Sequence, residues 1–172
     1  DPRMIVRPAT PRDATGISAV LNPVIRDTTI SFKPIELSLD EVAKLIENAP
    51  GIFVAEDDGV ILGYASYDQF RRGLGYARTM EHSIILAPEA RGRGTGRALM
   101  QRVEDHARAA GIGSLWAGVS GENPGGVAFH ARIGFETVVV LPKVGFKFGR
   151  WLDLTMMQKW LQPMGDDADS SA

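Results

Sequence analysis

The sequence predicts an α/β domain with one mixed, mostly antiparallel central sheet flanked by helices. The length of 172 residues suits one compact core at roughly 150 residues per domain. Strand-like segments on both sides of an Asp-Asp-Gly turn at 57–59 predict an early hairpin. Strand-like and helix-like segments then alternate, which predicts late crossovers and some parallel pairing. This order favours a partly parallel sheet over a doubly wound one.

The N-terminal third predicts one strand followed by two helices. A short strand covers Met4–Pro8, and the apolar residues that follow have helical spacing, with Asp13 as a cap. Pro23 is expected to kink or shorten this first helix. A loop over Asp27–Leu37 leads to a capping box at Ser38-Leu-Asp-Glu, which predicts the start of a second helix.

The middle of the chain predicts three strands and one long helix. Ile52–Glu56 and Val60–Gln69 are the strands of the hairpin. A long strand over Tyr76–Leu86 is expected to end at Pro88, and apolar spacing predicts a helix over Gly94–Ala110.

The last third predicts three further strands and one short helix. Leu115–Val119 is a strand, and Val127–Ile133 is a short helix that ends before a glycine. Phe135–Leu141 and Leu152–Lys159 are the final strands.

We expect a single domain over residues 4–162. Residues 1–3 precede the first methionine and are typical of an expression-tag remnant. Residues 163–172 contain three acidic residues and no Lys or Arg, which predicts an acidic flexible tail. The N-terminus lacks the apolar segment of a signal peptide, and we therefore expect a cytoplasmic protein.

Composition and charge argue against several classes of function. The formal net charge is only −2, so the overall balance predicts neither a nucleic-acid partner nor a membrane surface. No apolar run approaches the roughly 18 residues that a membrane span needs. The chain has no Cys and three scattered His, so we expect no disulfide, no Cys nucleophile and no metal site.

The most informative segment is the glycine-rich turn Arg91–Arg97, which reads R-G-R-G-T-G-R between a strand and a helix. Glycines allow successive N–H groups to point inward, and a helix N-terminus adds partial positive charge. Arg91, Arg93 and Arg97 can neutralise phosphate oxygens. The turn therefore predicts a diphosphate site, and the alternative is a flexible connection with solvated arginines.

Two common phosphate motifs do not fit this turn. A P-loop needs a Lys after its last glycine, and no Lys occurs between Lys44 and Lys143. The dinucleotide fingerprint needs a third glycine at position 97, which is Arg97.

The turn, followed by Asn123 and by Ala128–Phe135, resembles the GNAT superfamily of acetyl-CoA-dependent N-acetyltransferases. Within it, Met80–Ser83 and Phe146–Asp153 resemble the phosphinothricin and methionine sulfoximine acetyltransferases. The resemblance implies a GNAT-type fold with a splayed strand pair, acetyl-CoA as cofactor, a small-molecule amine as acceptor, and a homodimer.

The resemblance also implies which residues bind the cofactor. They are Ile84, Ile85 and Leu86 of the splayed strand, Arg91, Gly92, Arg93, Gly94, Thr95, Gly96 and Arg97 of the turn, and Asn123 at the head of the short helix. Asn123 is also suited to cap that helix, and both roles are compatible.

Two residues are the candidates for acid–base chemistry. Glu81 lies in mid-strand beside the expected thioester, where an unpaired carboxylate is costly to bury, and it is the candidate base. Its alternative is a structural carboxylate. His130 stands where many members have Tyr, and an imidazole with a pKa near 6.5 suits proton return to a thiolate. A packing or surface role is the alternative for His130.

The acceptor side is predicted from the resemblance. The candidate residues are Phe32, Arg71, Tyr76, His82 and Ser83. Arg71 would hold the substrate carboxylate, whereas the second Arg common after the aromatic residue is replaced by Ala77. Strand alternation turns His82 away from Glu81, so a supporting role is expected for it.

Two other functions stay open from the sequence. A peptide or protein amine would need an open groove instead of a pocket closed by Phe32 and the segment Phe146–Trp151. A non-catalytic acyl-CoA-binding module would not need Glu81, and the presence of Glu81 with His130 argues against it.

Overall fold

The computed structural model describes residues 3–163. The strands are β1 (Ile5–Pro8), β2 (Gly51–Asp57), β3 (Val60–Gln69), β4 (Thr79–Leu86), β5 (Ser114–Ser120), β6 (Glu136–Lys147) and β7 (Arg150–Trp160). The helices are α1 (Ala14–Asp27), α2 (Leu39–Asn48), α3 (Thr95–Ala109) and α4 (Pro124–Arg132). Residues 1–2 of the predicted tag remnant and 164–172 of the predicted tail lie outside the described residues. Between residues 3 and 163, no helix is long and apolar enough to cross a bilayer.

The predicted mixed, mostly antiparallel sheet is confirmed. Within the described residues the strand order is β1-β2-β3-β4-β5-β7-β6, and β4 and β5 form the one parallel pair. The predicted β2–β3 hairpin turns at Asp58 and Gly59, both with positive φ (51° and 80°). Two consecutive left-handed residues match the right-handed twist of the flanking strands, which explains the Asp-Gly sequence.

Helices cover both faces of the sheet, as the sequence predicts. On one face α1 and α2 bury Ile17, Ile25 and Val42 against β2 and β3. On the other face α3 buries Leu99 and Val103 against strands of the same sheet. Each face therefore has its own apolar core, and the sheet is the layer shared by both.

The start of α2 follows the sequence signal closely. The Ser38 hydroxyl accepts a hydrogen bond from the Glu41 amide at 3.1 Å, and the Glu41 carboxylate accepts one from the Ser38 amide at 3.0 Å. The predicted capping box is thus confirmed.

Two expectations for α1 are corrected in part: Pro23 does not shorten the helix, and Asp13 is at the N-cap position but makes no capping side-chain hydrogen bond. The helix continues through Pro23 to Asp27, because Leu21 and Ile25 on either side are buried and hold it against the sheet. The Asp13 side chain does not cap α1; it accepts two 2.8 Å hydrogen bonds from Arg7. These bonds are the main reason that the pKa of Asp13 is lowered.

The strand expected over Tyr76–Leu86 begins only at Thr79. Leu74–Tyr76 forms a 3₁₀ turn, in which the Tyr76 amide donates to Gly73 O and the Ala77 amide donates to Leu74 O. These bonds use backbone groups within the turn that a longer strand would offer to its neighbour. Tyr76 therefore lies in a loop and not on β4.

Three late elements are confirmed with different bounds. The short helix α4 begins at Pro124, because Asn123 and the proline form its first turn. β6 extends to Lys147 and β7 begins at Arg150, so the two strands form one long hairpin. Register shifts within β6 keep this hairpin paired across a bulge after Leu141.

The predicted splay between β4 and β5 is also present. Their pairing covers Thr79–His82 and Ser114–Ala117, and no pairing follows beyond His82 and Ala117. The rest of β4, Ser83–Leu86, remains paired with β3. Backbone groups of β4 that point toward β5 are therefore left open in the second half of the strand, and the cleft forms there.

Candidate active site

A cavity of about 800 Å³ lies at this splay. Leu21 and Val24 of α1 line it from one face of the sheet, and Phe129 and His130 of α4 line it from the other. The cavity therefore passes through the sheet. The predicted site residues in its lining are Phe32, Glu81, His82, Ser83, Ile84, Ile85, Leu86, Arg91, Asn123 and His130.

The glycine-rich turn has the conformation that an anion cradle needs. Gly92 and Gly94 have φ of +76° and +73°, and α3 begins directly afterwards at Thr95. A Cβ at either glycine would meet nothing within 4 Å, so the left-handed backbone, not lack of space, explains the choice of glycine. Of the turn, only Arg91 lines the cavity. Gly92 and Gly94 are exposed beside it, whereas Thr95 and Gly96 at the start of α3 are buried.

The other members of the turn have different roles in this structure. Arg93 forms a salt bridge with Asp57 of the β2–β3 hairpin, with Nη2 and Oδ2 2.6 Å apart. Thr95 is buried as a whole residue, its hydroxyl lies 3.3 Å from Met4 Sδ, and it does not line the cavity. Arg97 is exposed and does not line the cavity.

Gly96 is required by packing between helices. A Cβ there would lie 3.0 Å from the ring of Phe129 and 3.4 Å from Leu86 Cδ1. The missing side chain lets α4 approach α3 at the wall of the cavity. Sequence reasoning assigned Gly96 to the cofactor and missed this contact.

Asn123 caps α4 as expected and is also in the cavity lining. Its Oδ1 accepts a 3.0 Å hydrogen bond from the Gly126 amide, which caps α4, and the residue lines the cavity.

Glu81 lies on β4 where the two strands separate. Its carboxylate approaches β5 so closely that a Cβ on Gly118 would lie 2.9 Å from Oε2. Within residues 3–163 it has no salt-bridge partner, and burial raises its pKa. Glu81 also lines a second cavity of about 470 Å³ on the α2 side, which includes Lys33 and Ser83. This carboxylate therefore stands between the two cavities.

His130 is held by two hydrogen bonds within the protein. Its Nδ1 lies 2.8 Å from Gly126 O, which can only accept, so Nδ1 carries the proton. Its Nε2 lies 2.9 Å from Nε2 of His82. In the neutral pair His82 must then donate and His130 must accept.

Burial keeps this histidine pair neutral. Desolvation, with the charge of His130 as a second cause, lowers the pKa of His82 to about 3, and burial also lowers the pKa of His130. Both nitrogens of His130 are engaged, so neither is free to donate a proton to a departing thiolate in this arrangement. The sequence could not reveal this, because the two histidines are 48 positions apart and no local pattern links them.

The predicted acceptor residues are only partly brought together. Phe32 lines the main cavity, and its ring packs on β6, where a Cβ at Gly145 would come within 2.5 Å of it. Arg71 and Tyr76 line neither cavity; the Arg71 guanidinium lies 5.7 Å from the Tyr76 ring centroid in the β3–β4 loop. Lys33, which sequence reasoning missed, lines both cavities.

The sequence pattern of the acetyltransferase (GNAT) family matches residues 21–135. The chain belongs to the GNAT family. It is therefore an acetyl-CoA-dependent N-acetyltransferase, as the resemblance of its sequence implies.

Individual relatives give further detail. The chain is 36% identical over 163 residues to an L-methionine sulfoximine/L-methionine sulfone acetyltransferase of Pseudomonas aeruginosa, covering 92% of this chain and 95% of the relative. A phosphinothricin acetyltransferase of Sinorhizobium meliloti, solved in complex with acetyl-CoA, has a TM-score of 0.89 and 29% identity, covering 99% and 92% of the two chains. A ribosomal-protein-alanine N-acetyltransferase of Brucella melitensis has a TM-score of 0.88 and 36% identity, covering 91% and 99%.

Replacing Gly94 by Asp should abolish stabilisation by acetyl-CoA, because a carboxylate and a strained Cβ would enter the phosphate cradle. In the parent GNAT enzyme, acetyl-CoA at about 100 times its Kd should add about 2.7 kcal/mol to the free energy of unfolding. Differential scanning fluorimetry with and without acetyl-CoA measures the effect.

Gly111→Asp is the matched control, since Gly111 also has a positive φ (+80°) with open space, but lies at the other end of α3. It should lower the Tm of the free enzyme and keep the rise caused by acetyl-CoA. Equal rises in both variants would remove the cofactor role of the turn.

Proposed function

We propose that this enzyme transfers an acetyl group to the amino group of a small amino acid or analogue of the methionine sulfoximine or phosphinothricin type. The observation that carries the proposal is the cavity through the sheet, which has Arg91 of the glycine-rich turn, Asn123 and Glu81 in its lining and adjoins a second cavity on the α2 side at Glu81. Two substrates can then meet from opposite faces without competing for one entrance. The named activities of the relatives support this class of acceptor.

The residues at the splay fit acetyl-CoA. We propose that the turn Gly92–Arg97 and Arg91 hold the pyrophosphate, that the open backbone of Ile84–Leu86 pairs with the pantetheine arm, and that Asn123 contacts the same arm. When bound, acetyl-CoA supplies an activated acetyl group, which passes to the acceptor nitrogen as the carbon–sulfur bond breaks.

Glu81 is the proposed base. An acceptor α-amino group titrates near 7.7–8.0, so much of it carries a proton at neutral pH and must lose it before reaction. Glu81 is half-buried at the junction of the two cavities, and burial raises its pKa. A raised pKa makes the carboxylate a better proton acceptor, directly or through one water molecule.

We propose that His130 positions the site instead of acting as the acid. Its bond to His82 ties α4 to β4 across the cleft, and its bond to Gly126 O fixes the first turn of α4 beside Asn123. A thiol has a pKa near 8.5 and can leave as the thiolate, so no strong acid is required.

Glu81→Gln should lower kcat by roughly 10²–10⁴-fold, because the amide keeps the shape of Glu81 but cannot accept a proton. Stabilisation by acetyl-CoA should persist. In the parent, kcat/KM should fall as the pH drops through the raised pKa of Glu81, and this acidic limb should be absent in the variant. Steady-state release of free thiol between pH 5 and 9 measures both.

Glu47→Gln, on the exposed face of α2, is the control and should leave kcat and the pH profile unchanged. Turnover of Glu81→Gln within threefold of the parent at all pH values would show that another group is the base.

The acceptor carboxylate has two candidate partners on this chain. Arg71 was predicted from the family resemblance but lies outside both cavities, with its guanidinium near the Tyr76 ring. Lys33 lines both cavities and follows Phe32 directly. We therefore propose that Lys33 binds the carboxylate, at the end of the site where Glu81 faces the amine.

Lys33→Gln should lower kcat/KM for methionine sulfoximine by about 10- to 150-fold, the value of a charge-assisted hydrogen bond of roughly 1.5–3 kcal/mol. For the decarboxylated amine, the same variant should keep nearly the parent kcat/KM, because this substrate has no carboxylate to bind. Arg71→Gln is the comparison variant. A selective loss in Arg71→Gln instead of Lys33→Gln would reassign the contact to Arg71.

A second acceptor class rests on the similarity to the ribosomal-protein-alanine enzyme. A peptide with an N-terminal alanine would have to pass Phe32, whose ring packs on Gly145 and narrows that end of the cavity. Competition between this peptide and methionine sulfoximine at equal concentration decides between the two classes. Faster acetylation of the peptide would overturn the proposed amino acid acceptor.

We also propose that the enzyme is a homodimer formed through β6. This strand is at the edge of the sheet and pairs with β7 alone among the described strands. Its exposed apolar residues are Val138, Val139, Val140, Leu141, Val144 and Phe146. A long apolar edge strand promotes association with another chain. The family resemblance implies that this partner is a second copy of the same chain.

Val139→Lys should convert the dimer to a monomer, because a charged residue would be placed in the apolar interface. Light scattering coupled to size-exclusion chromatography measures the mass. Val60→Lys, at another exposed valine on the β2–β3 hairpin, should leave the mass unchanged. A dimer that survives Val139→Lys would place the interface elsewhere.

A further inference from the structure

The acceptor loop, defined as Thr28–Lys33, has no secondary structure of its own but forms part of the main cavity. Its residues 30–33 line the cavity consecutively. A loop that faces a substrate in this way must be fixed by contacts from elsewhere, since an unfixed loop would lose conformational entropy each time it bound the substrate.

Lys147 at the end of β6 provides such contacts. Its Nζ donates three hydrogen bonds to backbone oxygens, to Ile25 and Thr28 at 2.6 Å and to Ser31 at 2.7 Å. An ammonium group has three donors, so all of them are used. The residue is only 3% exposed, which makes it one of the few buried charges in the described part of the chain.

The partners of Lys147 explain how this charge is tolerated. No salt bridge to Lys147 occurs within residues 3–163. Two of the oxygens belong to the last turn of α1 and the residue after it, where helix carbonyls lack helical partners and carry partial negative charge. The ammonium satisfies these groups and reaches the acceptor loop at Ser31, one residue before Phe32.

Two further contacts link the loop to the same β6–β7 hairpin, one directly and one through Glu122 of the β5–α4 turn. The Phe32 ring packs against the backbone at Gly145, two residues before Lys147. The Thr29 hydroxyl donates to Glu122 at 2.7 Å, and Glu122 also accepts from Arg150 at 2.7 Å. The position of the acceptor loop therefore follows the hairpin, and Lys147 is its one buried charged contact among the described residues.

We propose that Lys147 is a positioning residue for the acceptor, whose ammonium fixes the acceptor loop and thereby sets the affinity for the amine substrate. This inference rests on the proposed function, in which the loop end of the cavity receives the acceptor. Lys147 does not line the cavity, so it acts through Ser31 and Phe32 and not by touching substrate.

The test is Lys147→Met, which keeps the length and apolar volume of the side chain but removes the charge and the three donors. The expected result is an increase in KM for methionine sulfoximine of about 10-fold or more, with kcat within threefold of the parent and an unchanged Kd for acetyl-CoA. Amide hydrogen exchange in residues 28–33 should become faster, while exchange in α3 should not.

Lys159→Met is the matched control. Lys159 is a partly buried lysine of β7 whose Nζ binds Glu104 Oε1 and Ile133 O, both at 2.7 Å, and it lines neither cavity. This variant should lower the Tm without changing the acceptor KM. If Lys147→Met does not fold, Lys147→Gln replaces it as the test, because its amide keeps two hydrogen-bond donors. Its acceptor KM should lie between those of the parent and of Lys147→Met.

Each outcome has a distinct meaning. Unchanged acceptor KM in a folded Lys147 variant, or an equal rise in Lys159→Met, would overturn the positioning role. Failure of both Lys147 variants to fold while Lys159→Met folds would also overturn it, since Lys147 would then serve stability alone. Failure of the proposed function is separate, because the parent enzyme itself would then not acetylate methionine sulfoximine.

Discussion

The separation of β4 from β5 is the constraint on which the rest of the structure depends. The two strands pair as far as His82 and Ala117 and then separate. The sheet is continuous elsewhere, so this gap is an opening between the apolar cores on its two faces. The opening is tolerated because β4 stays paired with β3 and β5 with β7. The unpaired backbone on the inner sides of the cleft is the cost of this arrangement, and it supports the proposed pairing of β4 with the pantetheine arm.

Several residues are best understood as holding the walls of the opening in place. The histidine pair links β4 to α4 on one face, and Gly96 allows Phe129 to approach α3. On the other face Lys147 connects the last turn of α1 to β6. Each of these contacts joins elements far apart in sequence, so a local change in one would shift a wall of the cavity and not a single side chain.

Local signals in the sequence predicted most of the elements. The capping box at Ser38, the Asp-Gly hairpin and the glycine-rich turn each work through the conformations of a few neighbouring residues. The sequence did not predict that Lys33 lines the cavity or that Arg71 lies outside it, because both positions depend on how long loops pack against distant strands. The prediction that β4 begins at Tyr76 was wrong for a related reason. The strand-like pattern there is overridden by the hydrogen bonds of the 3₁₀ turn Leu74–Tyr76.

The salt bridge between Arg93 and Asp57 has a consequence for how the enzyme meets its cofactor. The guanidinium already has an anion of its own, supplied by the neighbouring hairpin, at 2.6 Å. Its side chain is thus held beside the glycine-rich turn before any phosphate arrives. Recruiting Arg93 to a phosphate would exchange one negative partner for another, with little ordering left to do. In the free enzyme the Asp57 carboxylate thus already orders the Arg93 side chain, and a phosphate would have to displace Asp57 to bind this guanidinium.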